Sequence, residues 1–198
     1  MQPSAMFPAL FPGTDWFIEA QRHKAVILPL NRHWNKREKA THRYRVADVN
    51  GEIALTVPVE KPESLTRCVY SDIRLSKHGN WWHVHRVTLE SGYGRTPFFE
   101  HYFPKLDEFF RDDTVDRYPF LWQYTLATAQ KIAEILDLDA TIMTGIDDSG
   151  AKITQCSGAN MEEYWQVRRD KLGFIPGLSV LDLIFSLGPE AKLRMIEN

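Results

Sequence analysis

The chain of 198 residues is short of cysteine and has no large excess of either charge. Cys68 and Cys156 stand alone, without CxxC spacing and far below the density of a small secreted scaffold, which excludes a disulfide framework and leaves two reduced thiols. Lys and Arg total 24 against 26 Asp and Glu, a formal net charge of -2. A chain so balanced lacks the basic face that neutralises phosphates along a nucleic acid, so nucleic acid is not an expected partner. Long apolar runs are also missing: none approaches the roughly 20 residues a bilayer-spanning helix needs, and no integral membrane segment is expected. The opening MQPSAMFPALFPGTDWF carries no basic cluster and is broken by Pro3, Pro8 and Pro12, so it reads as neither signal peptide nor anchor. The expected location is cytoplasmic. With no repeat, low-complexity tract or polar linker, residues 1–198 read as one domain. Four common signatures are absent as well: GxxxxGK[ST], GxGxxG after a strand, GxSxG and HExxH.

What is present is an apolar share of 43%, enough for a core without staples, and six Trp, so large rings carry much of the packing. KAVILPL (24–30) reads as a buried strand. From Thr41 the chain alternates to Val49, meets Asn50-Gly51, and alternates again through Ile53, Leu55 and Val57, which predicts a β-hairpin. A third strand is expected from Cys68 to Ile73, then a loop to an N-cap at Asn80 and a helix over 81–92. Pro97 opens a short helix, PFFEHYF, broken by Pro104, and residues 117–137 give the longest helical pattern. Residues 140–144 read as a strand and 145–160 as a polar loop. Ser179 caps a last amphipathic helix that ends before Gly188-Pro189. The fold class expected is α/β, a mixed sheet with a β-hairpin and packed helices, with α+β as the alternative.

Chemistry is sparse. On a helix His83 and His85 point about 200° apart, so they do not chelate one metal, and no metal site or cofactor is indicated. His85, Leu89 and Tyr93 follow i, i+4, i+8 and share a stripe, placing an imidazole and a phenol on one face. Either they are packed side chains, or His85 is a base whose carboxylate comes from another element. Arg43 and Arg45 share a strand face, suited to a carboxylate or phosphate, or to keeping an edge strand soluble. Asp182, beside Leu181, Leu183 and Ile184, is either turned outward or buried with a perturbed pKa.

LTVPVEKP (55–62), the run from Asn80-Trp81 to TPFFEHYFPKL (96–106), and above all GFIPGLSVLDLIFSLGPEA (173–191) resemble the WbqC-like protein family in its shorter form. The family's basic motif, a Lys followed after a few residues by Asn-Arg, maps onto Lys39, Tyr44 and Arg45, with Tyr44 where Asn is usual. Gln2-Pro3 and Phe7-Pro8 weakly match an HQPNYFPW-like segment of longer members, with Met1 where the His falls. A Gly-rich insertion is reduced to a remnant around Ser157-Gly158. The resemblance implies a place in bacterial surface-polysaccharide or O-antigen assembly, with glycosyl- or acyltransferase chemistry. It marks Lys39, Arg45, His85, Tyr93, Glu100 and Asp182. Two readings follow. In one, a transferase takes an activated sugar or acyl donor, with Lys39, Arg43 and Arg45 holding its oxygens, His85 as base, Tyr93 orienting it, and Glu100 or Asp182 as the carboxylate. In the other, a non-catalytic protein recognises a carbohydrate, a nucleotide or a polysaccharide-assembly enzyme, with an aromatic platform drawn from Trp16, Trp34, Trp81, Trp82 and Trp165. The first requires His85, Arg45 and a carboxylate around one pocket.

Overall fold

A computed structural model describes residues 3–62, 64, 67–147, 153–156 and 162–195. The chain enters through strand β1 (Ser4–Ala5), crosses by helix α1 (Thr14–His23) and returns as β2 (Ala25–Pro29), parallel to β1. Gly13, itself extended, stands at the N-cap of α1, Asp15 lies in the first turn, and Trp16, Phe17 and Ala20 bury one face of it. The expected hairpin follows: β3 (Arg43–Asp48) pairs antiparallel with β4 (Gly51–Thr56), from Arg43↔Thr56 to Asp48↔Gly51. Its turn is centred on Val49-Asn50 rather than Asn50-Gly51, and Gly51 takes the positive φ, 127°.

Helix α2 (Trp81–Tyr93) forms as the spacing predicts, but Asn80 does not cap it: at φ 50° it is left-handed and its side chain bonds no backbone N–H there. The strand expected over 68–73 is replaced by a 3₁₀ turn at Tyr70–Asp72, because the Asp72 carboxylate accepts the Val69 N–H and folds the chain back on itself. Helix α3 (Phe99–Leu106) starts two residues after Pro97 and runs through the solvent-exposed Pro104, where a missing N–H costs least. After the short α4 (Thr114–Arg117), Tyr118 leaves the helical region because it precedes Pro119, and α5 (Leu121–Ile135) begins later than its pattern suggests. Strand β5 (Thr141–Gly145) pairs parallel with β2 along its whole length. The predicted polar loop lies partly outside the described residues, but Thr154 bridges β1: Phe7 N donates to its carbonyl (2.9 Å) and its N–H to Ala5 O (3.1 Å). A short α6 (Arg169–Leu172) precedes α7 (Val180–Leu187), which Ser179 caps as expected, its hydroxyl accepting from Leu181 N.

The lateral order is therefore Thr154, β1, β2, β5, and the direction of travel reverses at β1. The result is a mixed α/β fold with parallel and antiparallel pairs. Among the described residues no helix is long and apolar enough to cross a membrane. In open parallel sheets a reversal of this kind leaves a crevice beyond the carboxyl ends of the strands, the usual ligand position.

Helix α2 lies hard against the hairpin. A Cβ placed on Gly92 would stand 2.7 Å from the Ala47 carbonyl oxygen, a backbone atom unable to move alone. Helix propensity by itself favours alanine there by up to ~1 kcal/mol. We expect the opposite sign: Gly92→Ala destabilises by about 2 kcal/mol in urea melts, as overpacking does. A neutral or stabilising result would show that α2 rides off the hairpin freely.

Candidate functional site

The cavity sits at that reversal. The loop leaving β1 and the start of α1 form one part of it through Pro12, Gly13 and Asp15, and Gln155 and Cys156, just past the Thr154 bridge, form another. The hairpin and the 3₁₀ turn before it contribute Lys39, Arg43 and Arg45; Gly177 and Ser179, leading into α7, complete the wall. Its volume is about 360 Å³, within the range of small-molecule sites.

Strand alternation explains how the cations arrive there. Tyr44 and Val46 point into the core, 3% and 0% exposed, so Arg43 and Arg45 emerge on the other face. The two arginines are held differently. Arg43 donates from Nε to Thr56 Oγ1 (2.7 Å), and its terminal amino groups have no hydrogen-bond or ion-pair partner among the described residues. Arg45 is engaged through both terminal amino groups, with Glu52 (3.0 Å), the Gly177 carbonyl (2.8 Å) and the Pro176 carbonyl (3.4 Å). Its own carbonyl accepts the Ser179 N–H (2.7 Å), and Val180 N donates to Pro12 O (2.9 Å). Arg45 thus fastens the C-terminal segment to the hairpin. Lys39 is exposed, its ammonium unpaired among the described residues. The local field is cationic: burial first, then Lys39, Arg43 and Lys36, drive the neighbouring His42 down to about 4. Two carboxylates share the lining. Glu38 is paired with Arg32 (2.5 Å), and Asp15 accepts the Trp16 N–H (3.0 Å). The Cys156 thiol is pushed up to about 12 by burial and by Asp15 and Glu19, so it stays protonated.

The remaining expected site residues lie elsewhere. The stripe of His85, Leu89 and Tyr93 is real and buried, 2%, 0% and 0% exposed. His85 Nε2 faces the Thr56 carbonyl (3.2 Å), which can only accept, so Nε2 carries the proton and Nδ1 accepts from the Tyr44 hydroxyl (3.1 Å). Both nitrogens are spent inside the fold, and burial lowers the pKa to about 4. The expected meeting of His85, Arg45 and a carboxylate is therefore not formed. Tyr44 is the residue that seals His85 in. Tyr93 accepts the Ala47 N–H (2.8 Å) and donates to Asp182 Oδ1 (2.9 Å), so it orients no base. Asp182 is fully buried, and its other oxygen accepts from Tyr164 (2.6 Å) and Gln166 (3.1 Å); burial raises its pKa and these donors counter it. Glu100 is exposed on α3, away from the cavity lining. The aromatic platform is not assembled either: Trp16, Trp34, Trp81 and Trp82 are core, and only Trp165 of the five is half exposed. The structure therefore brings together Lys39, Arg43 and Arg45 and leaves His85, Tyr93, Glu100 and Asp182 off the cavity's described lining. Asp15, Gln155 and Gly177 were not foreseen; the Pro12-Gly13-Thr14-Asp15 run, a breaker before an acidic first turn, was the one available signal for α1.

The model of the WbqC-like protein family matches residues 8–152. No curated protein sequence and no solved structure matches the chain. The C-terminal motif that closes the cavity lies beyond the matched segment.

Proposed function

The chain belongs to the WbqC-like protein family, and we propose that it is a transferase of surface-polysaccharide assembly whose cavity at the β1 reversal holds the anionic part of an activated sugar or acyl donor. The observation that carries this reading is the convergence of Lys39, Arg43 and Arg45 on one cavity. An acceptor hydroxyl oxygen bonds to the donor's electrophilic carbon as the bond from that carbon to the phosphate oxygen breaks. The phosphate leaves with the electron pair, its developing charge met by Lys39 and Arg43, and the hydroxyl proton passes to a carboxylate. Asp15 and Glu38 are the carboxylates of the described lining, and Glu38 is paired with Arg32. A second reading, a non-catalytic nucleotide- or sugar-binding protein, uses the same cations; what favours it is that no histidine is among the described lining residues.

A thermal-shift series against nucleotide-sugars, acyl phosphates, nucleotides and free glycans tests the site. A donor at a hundred times its Kd adds about 2.7 kcal/mol, a rise of roughly 5–10 °C for a chain of this length, and Arg43→Ala abolishes most of it. A shift confined to free glycans, or one that Arg43→Ala leaves intact, overturns the assignment. Turnover of the shifting donor with an acceptor separates transferase from binding protein.

A further inference from the structure

We infer that Lys36 and Arg37, on the turn that leads into the cavity lining, are a docking site for an anionic carbohydrate chain, the acceptor of the proposed transfer. The inference rests on the donor-site reading above and adds the acceptor's chemical class to it. The segment that carries the two cations is tied down by its neighbours. Tyr70 N donates to the Arg32 carbonyl (2.8 Å), and Trp34 N to the Cys68 carbonyl (2.9 Å). The Asn35 side chain accepts the Arg37 N–H (3.0 Å), which turns the chain and leaves Lys36 and Arg37 exposed. Lys39 N then closes onto the Arg37 carbonyl (3.0 Å), bringing Arg37 beside a residue of the cavity wall. Glu38, the only acid between residues 31 and 45, is taken by Arg32. Lys36, Arg37 and Lys39 have no carboxylate partner among the described residues, whereas surface cations elsewhere, such as Lys24, Lys77, Arg111 and Arg117, each face one. Lys36, Lys39 and Arg43 all bear on the His42 ring, so their charges gather around one point. Such a concentration of cations on a chain of net charge -2 draws a partner with several anionic groups.

The partner's class follows from what accompanies these charges. Trp34 is 5% exposed and Tyr44 3%, so residues 31–45 offer neither a ring on which bases stack nor an apolar tip to enter a bilayer. Single-stranded nucleic acid and lipid surfaces are held by charge together with such groups. A glycan with a carboxylate or phosphate on successive units is held by charge and hydrogen bonds alone, which lysine and arginine supply. The cluster also runs on into a cavity of about 360 Å³, room for the terminal unit of a chain. Successive units on one chain make each further contact intramolecular, so a longer chain binds more tightly than its monomer.

Fluorescence anisotropy of a labelled oligogalacturonate titrated with the full chain, in about 50 mM salt, reads this directly. We expect an oligomer of about six units to bind at least about ten-fold tighter than galacturonate, and a neutral maltooligosaccharide of the same length not to compete. Lys36→Gln with Arg37→Gln weakens binding about ten-fold. Both side chains are exposed, so this double variant keeps the fold and the donor-induced thermal shift of the wild type. Lys105→Gln with Lys171→Gln, which removes two exposed cations on α3 and α6, leaves binding unchanged. Equal weakening by the two double variants, or no binding of the oligogalacturonate at all, overturns the docking site. So does an oligothymidylate or a phosphatidylglycerol vesicle that displaces the oligogalacturonate at a lower concentration of charge. In each of these cases the donor-site reading stands as long as the Arg43-dependent donor shift persists. Binding of the oligogalacturonate by a chain that shows no donor shift overturns the acceptor role and the donor-site reading together.

Discussion

Replacing Asp182 by alanine will cost the fold about 4 kcal/mol and lower its melting temperature by roughly 10 °C. The carboxylate is fully buried and, among the described residues, has no cation paired with it and is held by three neutral side-chain donors, the hydroxyls of Tyr93 and Tyr164 and the amide of Gln166. Alanine leaves these donors facing a void, and each stranded buried donor costs about 1–3 kcal/mol, part of which relaxation recovers. The loss spreads because each donor belongs to a different connection. Tyr93 ties α2 to Ala47 of β3, and Gln166 bonds both the N–H and the carbonyl of Ile175 in the C-terminal segment. Asp182→Asn keeps the shape but has one acceptor oxygen where two are used, so it lies between wild type and alanine. Urea melts of the two variants check the order. An alanine variant within 1 kcal/mol of wild type would mean that the tyrosines find other acceptors.

Between about pH 6.5 and pH 4 the protein will lose several kcal/mol of stability, with His85 and His42 as the main titrating groups. Both imidazoles are buried, 2% and 6% exposed, and both fold with pKa values near 4 in place of 6.5. A base depressed on folding binds its proton more readily when unfolded. Its contribution is therefore complete above about pH 6.5 and is lost as the pH falls toward 4. A shift of this size corresponds to at most about 3 kcal/mol for each ring. Asp182 acts in the opposite sense: held above the usual carboxylate range, it accepts a proton more readily when folded and softens the loss at the acid end. His85→Gln retains an amide to donate to Thr56 and an oxygen to accept from Tyr44 without titrating. Unfolding free energies at pH 7.5 and 4.5 should differ by about 2–3 kcal/mol less in that variant. Equal pH slopes in the two proteins would place the acid sensitivity elsewhere.

The hairpin, α2 and α7 were legible in the sequence because their signals are local: a turn glycine, a 3.6-residue period, a serine cap. Strand β1 was not, since its two residues become a strand only through Val26 on one side and Thr154 on the other. The same distinction divides the site. Lys39, Arg43 and Arg45 lie within seven residues of one another, and alternation alone sets the two arginines on a common face. What they face comes from residues 12–15, 155–156 and 177–179, and nothing local announces that these meet. Periodicity correctly placed His85 on a buried stripe, but its partners, Tyr44 and Thr56, belong to the hairpin. A buried polar residue is read from its own element; its role is set by the element opposite.

The fastening of Gly177 and Ser179 to Arg45, and of Val180 to Pro12, also sets an order of events during synthesis. Residues 39–45 of the hairpin side are translated well before residues 177–179, which complete the wall. A nascent chain therefore presents Lys39 and Arg43 on a hairpin with no enclosure behind them, and its capacity to hold a ligand arrives late and in one step. Ligand supplied to the growing chain does not help it fold until α7 is in place.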